Sequence, residues 1–261
     1  MIDRRQDEWD RFKKFTNPYE YIHTPVPNSK QAVCRLKPLS RSFYKMIEIM
    51  ATCGIESELP RETCSFHVAE GPGGFIEALA YQRHNLEDAY IGMTLQDESD
   101  PAVPGWKKSA SFIRSHPQVA VYDGADGTGD LTSLVNLLTC MRDNQDKADL
   151  VTGDGGFDFS VDFDSQEASS IGLVVAQMAF AIAVQRMGGS FVLKVFDTFT
   201  QATMDALFLL SSVYETVRLL KPQTSRQGNS EKYVVCSGFR LKHREALVHA
   251  LGDCLVAIQA G

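Results

Sequence analysis

No two of the six cysteines (Cys34, Cys53, Cys64, Cys140, Cys236 and Cys254) form a CxxC pair. Scattered single thiols argue against a zinc site and for a reducing, intracellular compartment. Long apolar runs are also missing, because Asp, Lys, Arg or Gln interrupts each one, so no bilayer span is expected. The first residues, Met1 to Glu8, are polar and carry no secretory apolar segment. Internal repeats and low-complexity tracts are absent. Positive charge is in deficit: the net charge is −7, which makes broad, non-specific duplex binding a poor fit. A local basic groove stays open, because clusters matter more than the total. Two clusters stand out, Lys30/Arg35/Lys37/Arg41/Lys45 and Lys221/Arg226/Lys232.

The 261 residues suit one α/β domain with a sizeable core and a short extension. Residues 1–38 mix charges, aromatics and prolines (Pro18, Pro25, Pro27, Pro38) and read as an N-terminal extension with a first helix around Glu8–Phe15. Residues 39–261 read as the catalytic domain. Ser40 is placed to cap a helix whose buried stripe is Phe43, Met46, Ile47 and Met50. Lys45 falls roughly opposite that stripe, with Arg41 one turn earlier, which taken alone describes a solvated basic face.

From Cys64 onward strands alternate with helices. The spacing predicts strands at Ser65–Ala69, Ala89–Leu95, Val119–Tyr122, Asp149–Thr152, Ser190–Phe196, Thr216–Leu220 and Tyr233–Gly238. Between them it predicts helices at Phe75–Arg83, Leu131–Met141, Glu167–Met187 and Gln201–Tyr214, with a last one at His243–Ile258. The long Glu167 helix is expected to stop at Gly188-Gly189. This alternation means a mostly parallel seven-stranded sheet covered by helices on both faces. Only a loop separates the final two strands, which permits an antiparallel hairpin at the sheet edge.

Lys194 sits in the apolar run Ser190-Phe191-Val192-Leu193-Lys194-Val195-Phe196. An ammonium in a buried strand is costly unless it is paired or does chemistry, and partial burial makes lysine a plausible base. Ligands of open α/β sheets bind beyond the carboxyl ends of the strands, so the strand tips come next. The first ends in Glu70-Gly71-Pro72-Gly73-Gly74-Phe75, which does not match GxGxxG. Glu70 suits a cationic or zwitterionic ligand better than a phosphate. The second ends in Gly92-Met93-Thr94-Leu95-Gln96, without a carboxylate for a ribose. The third leads into Asp123-Gly124-Ala125-Asp126-Gly127-Thr128-Gly129-Asp130, an acidic turn, a calcium loop or a carboxylate for an adenine amino group. The late glutamate of a calcium loop is not evident. The fourth ends in Gly153-Asp154-Gly155-Gly156. No metal site is expected from any of these.

Taken together, Ser40-Arg41-Ser42-Phe43-Tyr44-Lys45, Glu70–Phe75, Gly153-Asp154-Gly155, Phe191–Lys194 and Ser225-Arg226…Ser230-Glu231-Lys232-Tyr233 occur in the order of the FtsJ-like RNA ribose 2′-O-methyltransferases. The resemblance spans about residues 36–240. The last motif, with its Lys221-Pro222, looks more like the mRNA cap-1 branch, large-DNA-virus members included, than the bacterial ribosomal branch. The resemblance implies a Rossmann-like methyltransferase fold and a Lys-Asp-Lys-Glu tetrad of Lys45, Asp154, Lys194 and Glu231. Lys194 is the implied base; Lys45 nearby favours its neutral form, while Asp154 and Glu231 oppose that and orient both lysines.

The implied cofactor is S-adenosylmethionine, held by Glu70, Gly71, Pro72, Gly73, Gly74, Phe75, Thr94, Asp154 and an acidic residue after the third strand. Asp130 is favoured for that place, with Asp123 and Asp126 open. Arg41, Arg226 and Ser230 are implied contacts of the RNA. The implied partner is the capped 5′ end of mRNA, with a capping complex or polymerase beyond it and no membrane. The alternatives are ribosomal or transfer RNA, or a non-catalytic subunit of a capping complex. A nicotinamide oxidoreductase fits less well, given Pro72 and the missing ribose carboxylate. Trp9, Phe12, Phe15, Tyr19 and Tyr21 are candidates for stacking on a methylated guanine. The implied location is cytoplasmic, a viral factory, or nuclear.

Overall fold

A computed structural model describes residues 16–97, 99–100, 103, 105–156 and 166–260, with positions 5, 8 and 12 before them. Most of the helix expected at Glu8–Phe15, with Trp9 and Phe15, therefore lies outside the described residues. Seven strands form one sheet in the order β3-β2-β1-β4-β5-β7-β6. They are β1 Cys64–Val68, β2 Ala89–Met93, β3 Val119–Val121, β4 Ala148–Gly153, β5 Gln185–Val195, β6 Tyr214–Leu220 and β7 Lys232–Phe239. β1 to β5 run parallel, while β7 is antiparallel to both β5 and β6. The antiparallel pair at the edge is thus where the sequence pattern places it. β7 inserts between β5 and β6, so the last strand is not the outermost.

The helices are α1 Ser42–Cys53, α2 Ile55–Glu58, α3 Gly74–Arg83, α4 Ala110–Ser115, α5 Leu134–Asn144, α6 Gln166–Val184, α7 Gln201–Val213 and α8 Glu245–Ala260. Alternating strand residues feed two apolar layers, one on each face of the sheet. Phe191, Leu193 and Val195 pack under α6 and α8. Val192, Tyr233 and Val235 pack under α1 and α3. Lys194 alternates with Leu193 and so falls on the α1 side, where the tetrad assembles.

α6 is long and apolar enough to cross a bilayer on length and composition alone. Its composition has another cause here: Ala179 to Val184 are each 0% exposed, packed inside one apolar layer. The helix ends at Val184, earlier than Gly188-Gly189. Gln185 already pairs with Ala148 in the β4–β5 ladder, and its side chain donates to the Ser190 carbonyl at 2.9 Å. Those bonds replace the last helical turn, and the glycine pair lies within β5 instead. The start of α1 also differs from expectation. Arg41 holds the N-cap position without a side-chain cap, and the Ser40 hydroxyl meets that of Ser42 instead.

Candidate active site

The sheet order reverses between β1 and β4, and the crevice of an open α/β sheet opens at such a switch point. Asp154 follows β4 directly, next to Leu193 and Lys194 of β5. Lys194 is in turn register partner to Tyr233 of β7. Glu231 precedes Tyr233 by two residues and so points the same way. Three neighbouring strand ends therefore present Asp154, Lys194, Tyr233 and Glu231 in a row, and α1 lays Lys45 across it. The Lys45 ammonium donates to Glu231 Oε2 at 2.8 Å. Lys194 Nζ donates to the Asp154 carbonyl at 2.6 Å and lies 3.3 Å from Asp154 Oδ1. The two lysine side chains are each 12% exposed, so the basic face expected of α1 is not solvated at Lys45. The Lys221–Glu231 segment covers it.

Tyr233 joins the two pairs. Its hydroxyl donates to Asp154 Oδ1 at 2.7 Å and accepts from Lys45 Nζ at 3.4 Å. The sequence offers no signal for this role, because a tyrosine in an apolar strand reads as core. Burial, then the neighbouring Asp154 and Glu231 carboxylates, raises its phenol well above the usual range, so it acts as a neutral donor. Burial alone would raise the Glu231 carboxyl. The Lys45 and Lys194 ammonium groups outweigh it and hold the group at about 2. Ser225 Oγ supports the same carboxylate through Oε1 at 2.6 Å.

Arg41 is not placed to grip a phosphate. Its Nη1 pairs with the buried Glu20 at 2.5 Å, and its Nε and Nη2 donate to the Thr224 carbonyl. Those bonds turn the guanidinium inward, where it ties the N-terminal turn Pro18–Ile22 to the Lys221–Glu231 loop. Arg226 is half exposed, 3.7 Å from Glu20, and the Ser230 hydroxyl donates to Gln166 Oε1 at 3.3 Å.

A cavity of about 600 Å³ adjoins Asp154, lined by Gly71, Thr94, Asp130, Leu131, Gly155 and Gly156 among others. Of the Glu70–Phe75 turn, only Gly71 lines it. Gly73 turns towards Leu39 and Trp106, Gly74 towards Ser40 and Ser42, and Phe75 packs on Tyr233 with centroids 6.0 Å apart. Pro72 is not among the lining residues either. These four shape the turn, because a strand that reverses into a buried helix needs apolar and close backbone contacts there. Gly71 and Gly129 are required by space. A Cβ on Gly71 would lie 2.8 Å from the Gly105 carbonyl, and one on Gly129 would overlap the Thr94 carbonyl.

Glu70 accepts from the Phe75 and Ile76 amides at 2.7 and 3.1 Å through Oε1. Its Oε2 is buried without a partner among the described residues. Burial pushes this carboxyl up to about 8. Of the three acidic candidates after β3, Asp130 lines the cavity. Asp123 accepts from Gln96 at 2.5 Å, and Asp126 accepts from Thr128 and Asn136. His67, deep in β1, is a satisfied core histidine between Ser65 and Thr152, held neutral by burial. Among the described residues, no cluster of His, Cys, Asp and Glu could hold a metal ion.

The sheet and its helices define a Rossmann-like methyltransferase fold. Residues 38–239 match the sequence model of FtsJ-like methyltransferases. The cap-specific mRNA (nucleoside-2′-O-)-methyltransferase 1 of Trypanosoma brucei brucei is 34% identical over 221 residues, covering 80% of this chain and 58% of that protein. The cap-specific mRNA (nucleoside-2′-O-)-methyltransferase 2 of Mus musculus is 31% identical over 260 residues, covering 95% and 33%. The chain thus spans little more than half of the first relative and a third of the second. In fold it is similar to human methyltransferase-like protein 13 in complex with SAH, with TM-score 0.50, 13% identity and 83% and 93% of the two chains covered. The chain belongs to the FtsJ-like methyltransferase family.

Proposed function

We propose that this chain transfers a methyl group from S-adenosylmethionine to a ribose 2′-hydroxyl of RNA, at the first transcribed nucleotide of capped mRNA. The observation that carries this reading is the meeting of Lys45, Asp154, Lys194, Tyr233 and Glu231 beside one cavity. The names of the relatives support the capped substrate. When bound, S-adenosylmethionine supplies a methyl carbon activated by its sulfonium. The cavity is of the size small-molecule cofactors occupy, and its Gly71 and Gly129 walls are too close for side chains. The Asp130 and Asp154 side chains on the cavity wall suit a cationic ligand.

A 2′-hydroxyl attacks only as it loses its proton, so the site needs a base held in line with the methyl carbon. Lys194 is the side chain placed to accept that proton. The Asp154 carbonyl and carboxylate aim its nitrogen, and Tyr233 fixes the carboxylate. With the cofactor held by the cavity residues, transfer would place its methyl carbon on the 2′-oxygen, the sulfur would leave as S-adenosylhomocysteine, and the hydroxyl proton would stay on Lys194. Lys45, locked on Glu231, faces the same hydroxyl with positive charge and steadies the oxygen as it becomes anionic.

Asp130 is the proposed partner of the adenosine. Asp130→Ala is expected to weaken S-adenosylmethionine binding about tenfold by calorimetry, the worth of one hydrogen bond to a charged acceptor. Asp126→Ala should leave that affinity within about twofold, since Asp126 is not among the residues lining the cavity.

Phe199 lies five residues beyond Lys194 and is 86% exposed. Its backbone is held rigid, because the Phe199 and Thr200 amides donate to the buried Glu167 carboxylate at 2.9–3.1 Å. An exposed ring on a held backbone past the base is a stacking surface for an unpaired RNA base. Phe199→Ala is expected to raise KM for RNA about tenfold with kcat nearly unchanged, measured by methyl transfer at fixed salt. Lys30, Arg35 and Lys37 line a second cavity of about 610 Å³ and are the proposed phosphate contacts in place of Arg41. The deciding experiment follows labelled methyl from S-adenosylmethionine into capped and uncapped transcripts and identifies the modified nucleotide. Label on a base, or on uncapped RNA alone, would overturn the capped-substrate reading.

A further inference from the structure

Lys221 lies just beyond β6 and belongs to no part of the tetrad. Its ammonium donates to Asn229 Oδ1 at 2.6 Å, the Glu231 carbonyl at 2.7 Å, the Asn229 carbonyl at 2.9 Å and Ser225 Oγ at 3.2 Å. These acceptors are neutral oxygens, and they sit on both limbs of the loop from Lys221 to Glu231. The first limb is also held from outside. Glu48 of α1 accepts from the Gln223 amide at 2.7 Å and the Thr224 amide at 2.9 Å, and Asn17 donates to the Ser225 carbonyl at 3.1 Å. Lys221 then ties the second limb, residues 229–231, to the first. Ser225, held by this clamp, reaches Glu231 Oε1, while Lys45 takes Oε2.

We propose that Lys221 is a positioning residue of the transfer reaction: its ammonium cross-links the loop so that the Glu231 carboxylate meets Lys45 beside the reacting hydroxyl. This rests on the function proposed above. An ammonium satisfied by dipoles alone is a costly choice for a mere loop staple, because a neutral side chain could do the same with less desolvation. It brings a fixed cation behind Glu231 and three divergent donors that a single hydroxyl or amide lacks. Burial lowers the ammonium to about 8 from its usual 10.5, with Lys232 and Lys45 pushing the same way and Glu231 and Asp197 opposing. Near that pH the group loses one donor and its charge, and the loop loosens.

The test compares wild type with Lys221→Met and Lys221→Arg, each assayed well below its melting temperature. Lys221→Met is expected to lower kcat about 100-fold with KM for S-adenosylmethionine unchanged, the scale of a misplacement near 1 Å. Lys221→Arg should recover much of that loss, and its kcat should not share the wild-type fall above pH about 8. Adding Glu231→Gln to Lys221→Met should cost little more than Glu231→Gln alone, because one acts through the other. Additive losses, or an unchanged kcat in Lys221→Met, would overturn the proposal. A second arm needs no turnover: ¹³C-lysine spectra, with Lys45 assigned through Lys45→Arg, should show the Lys45 resonance displaced in Lys221→Met and restored in Lys221→Arg. An unmoved Lys45 resonance would also overturn it. A wild-type protein that methylates no RNA would sink the proposed function and leave this spectral arm to decide Lys221.

Discussion

Lys194→Ala is expected to lower methyl transfer by about 1,000-fold or more while S-adenosylmethionine still binds within about twofold. The ammonium lies 2.6 Å from the Asp154 carbonyl and 3.3 Å from its carboxylate, so its loss removes the proposed base and the group that Asp154 aims. Lys194 is not among the residues lining the cavity beside Asp154, which is why cofactor affinity should survive. Asp154 keeps its hydrogen bond from Tyr233 at 2.7 Å, so the site should not collapse. Single-turnover transfer to capped RNA and calorimetry with the cofactor measure the two halves of this expectation. Lys194→Arg sharpens it, because arginine keeps the charge but cannot serve as a base at neutral pH. Turnover within tenfold of wild type in the arginine variant would rule out Lys194 as the proton acceptor.

Glu231→Gln should cost both activity and stability, and the stability loss should depend on pH. Lys45 and Glu231 are 12% and 8% exposed, and removing one charge of such a pair leaves the other poorly solvated. The folded protein holds the Glu231 carboxyl at about 2, against an ordinary 4.5. A depressed carboxyl contributes stability that is fully present above the unfolded value, near 4.5, and is lost as pH falls through the folded one. That contribution is fully present at neutral pH and shrinks as pH falls below about 4.5. Urea unfolding at pH 6.5 should therefore separate wild type from Glu231→Gln by about 3 kcal/mol, and the gap should narrow steadily below pH ~4.5. A gap that does not change with pH would mean that Glu231 is not held ionised by Lys45. Methyl transfer should fall about 100-fold, since Lys45 loses its anchor.

Strand tips were the legible part of the site. Asp154 between glycines and Lys194 in an apolar run stand out because each breaks a local pattern whose physical cost is known. Tyr233 was not legible, because its ring satisfies the apolar pattern of β7 and only its hydroxyl leaves it. Arg41 misled for the opposite reason. A lysine or arginine near a helix start looks solvated, and nothing local says that a buried Glu20 and the Thr224 carbonyl will claim its guanidinium. The Gly188-Gly189 pair misled as well. Glycines commonly stop helices, but the Gln185 side chain and the β4 ladder stopped α6 first.

Periodicity and glycine placement suffice to establish alternating strands and helices, the parallel sheet and the antiparallel edge, because each depends on residues a few positions apart. The meeting of Lys45 with Glu231 does not depend on neighbours, since 186 residues separate them. It follows from β7 inserting beside β5, from α1 lying across their ends, and from a loop clamped by Lys221, Glu48 and Arg41. Charges acquire strong mutual effects only where packing has removed the water between them, and which charges are enclosed together is a property of the folded chain.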